Sequence, residues 1–464
     1  MALFVATISA FVTPFLGSSV NVALPSIGRE FHMDAVSLSW ISVIYLLTAA
    51  IFLVPVGKLA DIYGRKRIWL FGITFYCVFS VLCAVAPSGT WLIVARGLQA
   101  IGGSLIYGTG TAILTSVFPR EERGKAFGVN VAAVYAGLSV GPFLGGLLTA
   151  QWGWRSIFLA TVPLGLLAIG LILWKLPGEW AEARGERFDL VGSAIYGLAL
   201  VVLMYGASLL PDLPGLGLIA AGAVALVVFV RWELRTAAPV LDVRLFRGNP
   251  VFAFSNLAAL INYSANSAVT FLLSLYLQYV QGLDPSQAGL VLVAQPVMMT
   301  VLSLLAGRLS DRVEPRLVAS AGMVLSAVAL FLLSTAGETT PLAFVAAVLA
   351  VLGTGFGLFS SPNTNAVMSS VEPRYYGVAS GTLGTMRLTG QMISMGVVMT
   401  VFSIYVGRAQ VVTANHDAFL AAVRTAFLVF GLLCSGGILA SLVRGKVRGE
   451  ATEPARAGGT GSRG

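Results

Sequence analysis

Fourteen stretches of about 18 or more residues in this 464-residue chain contain no Lys, Arg, Asp or Glu. They are residues 1–28, 35–57, 68–95, 97–119, 126–154, 156–174, 190–211, 213–230, 248–283, 285–307, 317–337, 339–371, 388–407 and 425–443. A helix needs about 20 mostly apolar residues to cross a bilayer. Lipid tolerates only helices or closed barrels, because backbone N–H and C=O groups find no water there. Barrel strands alternate in polarity over about 10 residues, and these stretches do not alternate. Charged residues make up 11% of the chain, against about 25% in soluble domains. The expectation is an all-α integral membrane protein with about fourteen transmembrane helices.

The net charge of +9 invites a nucleic-acid reading, but its placement argues for topology. With the N-terminus in the cytoplasm, 23 Lys and Arg fall in inner loops and the tail, and four (Arg29, Arg155, Arg408, Arg424) fall outside. That is the positive-inside bias, and it places both termini in the cytoplasm. Cys77, Cys83 and Cys434 all lie in apolar runs and read as small fillers. The pattern offers no disulfide framework or metal-ligand spacing. The first span lacks a basic n-region and a cleavage site, so it reads as an anchor.

Six spans fill 1–176, followed by a cytoplasmic linker at 177–187. Two further spans occupy 188–232, and a second linker covers 233–249. Six more spans fill 250–443, and the Gly- and charge-rich tail at 444–464 reads as disordered. The six-span blocks look duplicated. Gly57, Asp61 and Asp34 match Gly307, Asp311 and Asp284 at an offset of 250, and "GKAFG" at 124–128 echoes "GVASG" at 377–381. Internal duplication of a helical bundle marks many secondary transporters, in which two rigid halves rock about a path between them.

The turn between spans two and three, "GKLADIYGRKR", holds Gly57, Asp61, Gly64, Arg65, Lys66 and Arg67. Here a glycine permits close helix approach, and an acid placed at a helix N-terminus gains about 0.3–1 kcal/mol. In the fifth span Gly128, Gly137, Gly141, Pro142, Gly145 and Gly146 form G-x8-G-x3-G-P-x2-G-G. Glycines 137, 141 and 145 share one face, where two helices can touch backbone to backbone, and Pro142 adds a kink. With "SSVNVALPSIG" (18–28), "SWISVIYLL" (39–47), "RGLQAIGG" (96–103) and "WGWRSIFLATVPLG" (152–165), these motifs resemble the major facilitator superfamily, in its fourteen-helix drug:proton antiporter branch. The resemblance covers nearly the whole chain.

That resemblance implies two six-helix halves plus two extra central helices. Arg65 pairs with Asp61 in a cytoplasmic latch for the outward-facing state, and Gly307, Asp311 and Arg312 form its weaker copy. The glycine-proline motif implies export rather than import. Arg96 and Gln99 carry proton coupling, with Arg387 as the mirror case. No cofactor is implied, since the proton gradient supplies the energy. The partners are a small amphiphilic substrate, protons and membrane lipid, with no nucleic acid, and the chain is a monomer in the cytoplasmic membrane. Metal clusters, nucleotide loops and nucleophile elbows are lacking, so an enzyme is not expected.

One departure bears on the substrate. Members of this branch usually carry an Asp where this chain has Leu16, and no Asp or Glu lies deep in any span. Two intramembrane arginines without an acid suit neutral, zwitterionic or anionic substrates better than cations. A lipid or anionic-metabolite exporter or flippase on the same fold, without conventional proton coupling, is the alternative. Asp34 and Asp284 read as N-caps at outer helix starts. From mid-span depth, Asn21, Tyr135, Asn262, Asn266, Gln295 and Asn363 are expected to line the substrate cavity.

Overall fold

The computed structural model describes residues 2–118, 120–176, 178–181, 188–236, 239, 241, 243–310, 313–371, 376–407 and 416–445. Within these, nothing is described of the side chains of residues 2, 54, 61, 111–112, 115–116, 120–128, 131, 245, 304, 308, 376–378 and 380. Eight long helices come first: α1 (Ala2–Phe31), α2 (Ala35–Tyr63), α3 (Arg65–Ala84), α4 (Gly89–Val117), α5 (Arg120–Trp152), α6 (Arg155–Lys175), α7 (Leu190–Ser208) and α8 (Leu213–Glu233). The ninth span is broken into α9 (Pro250–Asn266), α10 (Val269–Leu275) and a π-helical turn, Tyr276–Val280. The tenth joins α11 (Pro285–Leu292) to α12 (Ala294–Ser310), and α13 (Pro315–Leu333), α14 (Leu342–Ser369), α15 (Tyr376–Tyr405) and α16 (His416–Val443) complete the fold.

Among the described residues, thirteen helical segments are long and apolar enough to cross a membrane. The fourteenth crossing is α4, whose 29 residues suffice in length but include Arg96 and Gln99. The protein is a multi-pass, all-α membrane protein. With fourteen crossings, residues 2 and 445 lie on one face, called here the terminal face.

Polar residues mark the helix starts, where the first N–H groups lack intrahelical acceptors. Asp34 accepts from the Ser37 N–H at 2.8 Å, Asp189 from Gly192 at 2.8 Å, and Asn249 from Phe252 at 2.9 Å. Asp284 forms a capping box with Gln287. The expected capping roles of Asp34 and Asp284 are therefore met. The three cysteines are buried and free.

Helices α1–α6 form one half, held chiefly by α1 on α5, α2 on α4, and α3 on α4 and α6. Helices α9–α16 form the other, through α12 and α13 on α14, and α15 and α16 on α9. The α1–α5 contact has a simple cause. A Cβ on Gly137 would meet the Phe11 carbonyl at 2.5 Å, one on Gly141 the Phe15 carbonyl at 2.8 Å, and one on Gly145 the Cβ of Ser19 at 2.5 Å. Ser19 Oγ closes the contact by donating to the Gly141 carbonyl at 2.9 Å.

Helix α7 lies over the junction of the halves, touching both α2 and α15. Tyr196 meets Thr389 at 3.4 Å, and Thr400 Oγ1 donates to the Ala207 carbonyl at 3.5 Å. Helix α8 packs on α7, and its Leu216, Val224 and Val227 are exposed, as suits a lipid-facing surface.

Two polar anchors close the halves. Glu30 takes a bidentate pair from Arg155 at 2.7 and 2.8 Å, and the Trp154 indole N–H at 2.7 Å. The Arg155 hydrogen bond is the main cause holding the Glu30 carboxyl below its ordinary value. Arg444, which the charge pattern assigns to the tail, is instead fully buried. Its Nη1 donates to Asn363 Oδ1 at 2.9 Å, and burial draws its guanidinium down to about 10.

Two outcomes follow. Gly141→Ala, by forcing α1 from α5, should cost about 1–3 kcal/mol, whereas Gly170→Ala, with open space at its Cβ, should stay within about 0.5 kcal/mol; thermal melting in detergent measures both. Because the Glu30 pKa is depressed on folding, its contribution is fully present above 4.5 and is lost as pH falls through the folded-state value. The melting advantage of the wild type over Glu30→Gln should therefore vanish on acidification below that window.

Candidate functional site

Arg387, on α15, stands where the two halves meet. Its Nη2 donates to Thr364 Oγ1 of α14 at 2.7 Å, and its guanidinium lies 5.6 Å from the centroid of the Tyr263 ring. The Tyr107 hydroxyl, from α4 in the other half, lies beside it. Tyr135 of α5 reaches Ser360 of α14 across the same seam, at 3.3 Å between hydroxyls. Tyr263 packs edge-on against Phe356, with centroids 5.1 Å apart. Together with Met299, Tyr135 and Leu138 these rings form an apolar cluster separate from the main core.

Local sequence explains the convergence. A Cβ on Gly390 would meet the Leu260 carbonyl at 2.6 Å and Tyr263 Cβ at 2.8 Å. That glycine therefore lets α15 ride against α9, which brings Arg387 to Tyr263. The break after α9 is held from α15 as well, since Ala268 donates its N–H to Ser394 Oγ at 3.0 Å. Broken helices at mid-membrane are tolerated where protein satisfies the freed groups.

The seam is closed at the face opposite the termini. Ser274 Oγ donates to the Asn21 carbonyl at 2.7 Å, Gln278 Nε2 to the Val22 carbonyl at 2.9 Å, and the Tyr279 hydroxyl to the Pro25 carbonyl at 3.5 Å. The last two donors sit on the π-helical turn. Beside them α5 meets α11 backbone to backbone, with Gly146 against the Pro285 carbonyl and Gly289 against the Pro142 carbonyl. Tyr107 is 45% exposed. It lines a cavity of about 60 Å³ with Ser9, Thr13, Gly110 and Asn130. Among the described residues, no atom lies within 4 Å of a Cβ placed on Gly57 or Gly381. The partner expected to approach Gly57 is not found among the described side chains, and Asp61, the residue paired with it in the expected latch, lies outside them.

The other expected site residues fall in several places. Asp61, Gly128, Asp311 and Arg312 lie outside the residues or side chains described. Gly307 faces Ser361, with a Cβ contact of 3.1 Å, and Arg65 is buried. Arg96 is 2% exposed and sits inside the first half. Its Nη1 donates to Gln99 at 2.7 Å, Gln99 donates to Ser80 at 2.7 Å, and its guanidinium covers Tyr45 at 4.3 Å. Asn21 sits at the closed end, where its side chain accepts from Ser42 at 3.0 Å. Asn262, Asn266 and Asn363 are buried: Asn266 donates to the Asn262 carbonyl at 2.8 Å and Asn363 to the Ser255 carbonyl at 3.1 Å. Gln295 is buried where its backbone meets Gly353 of α14. Of these candidates, Tyr135 and Arg387 meet in the central cluster. Tyr107, Thr364, Ser360, Phe356 and Met299 join them without having been singled out. A tyrosine deep in an uncharged run was the available signal for Tyr107.

A further residue emerges at the turn before α3. The Glu179 carboxylate accepts the N–H groups of Lys66 at 2.8 Å and Arg67 at 3.1 Å, and Arg65 N–H donates to the Trp180 carbonyl at 2.8 Å. The Lys66 ammonium also donates to the Leu176 carbonyl. Gly64, at φ 111°, leaves room for the carboxylate, since a Cβ there would stand 2.6 Å from Glu179 Cδ. The linker after α6 thus caps α3.

The family model described as Major Facilitator Superfamily matches residues 6–395 and 255–461. Riboflavin transporter RibZ of Clostridioides difficile is 27% identical over 95% of this chain and 96% of its own. Multidrug resistance protein Stp of Mycobacterium tuberculosis (CDC 1551) is 32% identical over 83% of this chain and 72% of its own, and the methylenomycin A resistance protein of Streptomyces coelicolor 31% over 84% and 85%. Among solved structures, a bacterial homologue of the human lysosomal transporter Spinster, inward-facing and occupied, aligns with a TM-score of 0.65 at 18% identity, covering 95% of this chain and 96% of that one. The chain belongs to the Major Facilitator Superfamily and is a membrane transporter, not an enzyme.

Removal of the α3 cap is directly testable. Glu179→Ala should cost about 0.5–2 kcal/mol, the range for losing a helix cap, and Glu179→Gln, which keeps an acceptor oxygen, should cost less; melting of the purified protein reads both.

Proposed function

We propose that this transporter exports small amphiphilic molecules from the cytoplasm by alternating access, in exchange for protons. The observation that carries this reading is the seam cluster. It is aromatic and apolar on one side and polar at Arg387, it is accessible toward the terminal face through Tyr107, and it is sealed at the opposite face. The excess of Lys and Arg on the terminal side supports a cytoplasmic terminal face, in keeping with the cell's inner membrane. The names of the Mycobacterium and Streptomyces relatives, both resistance proteins, favour export, as does the α5 glycine-proline segment.

In the cycle, substrate enters from the terminal face and settles between Tyr135, Tyr263 and Phe356. Rocking of the halves then parts α1 from α10 and α5 from α11, breaking the few hydrogen bonds at the closed end. Gly57 and Gly381, open in the conformation described, become points where the terminal ends approach. Free lateral entry of lipid on the α2–α15 side is opposed by α7, which lies over that junction. This favours an amphiphile taken from the cytoplasm over a flippase cycle on that side.

The test is proton flux in proteoliposomes holding an imposed pH gradient, challenged with amphiphiles of each charge. At least one compound should collapse the gradient, and Tyr135→Phe should slow the collapse several-fold. If labelled compound crosses without proton movement, the exchange is wrong and a uniporter replaces it. If no compound crosses, export of amphiphiles is wrong.

A further inference from the structure

We propose that the seam site selects planar aromatic acids, seating the anionic group on Arg387 and rejecting aromatic cations. The inference deepens the transport reading of this site and rests on it. Arg387 is a cation between the halves with no carboxylate among its described partners. One nitrogen is held by Thr364 at 2.7 Å, and the Tyr107 hydroxyl is a second hydrogen-bond partner of the guanidinium. Its Nε is buried and meets no acceptor among the described residues. A buried, unmatched donor on a fixed guanidinium is an incomplete hydrogen-bond set, and an incoming carboxylate or sulfonate completes it. Guanidinium offers parallel donors to such groups, often in pairs. The low dielectric of the seam strengthens that pairing and sharpens repulsion of a second cation.

The surrounding side chains set the rest of the ligand. The edge-on Tyr263–Phe356 pair, with Met299 and Leu138 alongside, offers ring faces and a polarizable sulfur to a flat aromatic body. The hydroxyls of Tyr107 and Tyr135 flank the charged end and can donate to an anion or accept from a ring substituent. Because Tyr107 belongs to one half and Arg387 to the other, an acid bound between them draws the halves together. A fatty acid or anionic lipid shares the acid group but not the ring, so the aromatic surface separates the two sources.

The experiment is equilibrium binding to the purified full chain in nanodiscs of phosphatidylcholine, which carry no net anionic lipid. The probes are 2-naphthoate, its methyl ester, 2-naphthylmethylammonium and laurate. Naphthoate should bind about tenfold or more tighter than the ester, as expected for a hydrogen bond to a charged group, and tighter still than the ammonium. Arg387→Gln should remove the acid's preference over the ester, and the ester binding that remains reports that the site is intact. Phe356→Ala should weaken acid and ester alike. If Arg387→Gln does not fold, Arg387→Lys, keeping the charge but losing the fork, should shrink the acid preference several-fold. Equal binding of acid and ester, tighter binding of the ammonium, or no binding by any probe overturns the proposal. So does an acid preference that survives Arg387→Gln. Laurate binding tighter than naphthoate assigns the site to lipid-like acids and overturns the aromatic class. Counterflow in proteoliposomes separates the two readings. Arg387-dependent binding of naphthoate without exchange removes the transport reading alone, and Tyr135-dependent exchange of the ammonium removes the acid assignment alone.

Discussion

The close approach of α5 to two neighbours underlies the rest of the architecture. On one face Gly137, Gly141 and Gly145 hold α5 to α1 within a single half; around the helix, Pro142 and Gly146 meet α11 of the other half. The first contact is locked by a hydrogen bond from Ser19. The second brings backbones together at small residues, Gly146 against the Pro285 carbonyl and Gly289 against the Pro142 carbonyl. A bilayer gives helices little hydrophobic reason to associate, so small residues and dispersion do that work. One helix can therefore be fixed to its own half and still slide against its partner. A transporter needs that combination.

The polar groups are arranged with the same economy. The first half stores an arginine, Arg96, on a chain of hydrogen bonds through Gln99 and Ser80, away from the seam. The second half buries Arg444 against Asn363 and Ser255 near the terminal face. Each of these cations hydrogen-bonds within its own half. Arg387 differs, because tyrosines from both halves surround it. Its environment changes whenever the halves move, whereas those of Arg96 and Arg444 travel with their own helices.

Much of this was legible in the chain. The span number follows from where charges are missing, and α4 is the instructive exception, since Arg96 and Gln99 depress its apolarity without shortening it. The glycine period in α5 directly encodes a contact face. Other features are not written locally. Asn262 and Tyr263 are adjacent and equally deep, yet the roughly 100° step between neighbours on a helix sends one into the packed interior and the other into the seam. Glu179 caps a helix 113 residues earlier in the chain, a partnership that no local motif announces. Gly57 shows a different limit: a glycine records that two helices can approach, while the conformation decides whether they do.

A fixed cation at the seam also has an electrical consequence. The empty site carries one positive charge, and with a monovalent anion bound that charge is balanced. One elementary charge moved across 100 mV corresponds to about 2.3 kcal/mol. The membrane voltage therefore acts unequally on the loaded and the returning carrier. As Arg387 is carried through the field when the halves rock, the voltage biases the return of the substrate-free, proton-bearing protein, and the loaded step proceeds almost indifferent to it.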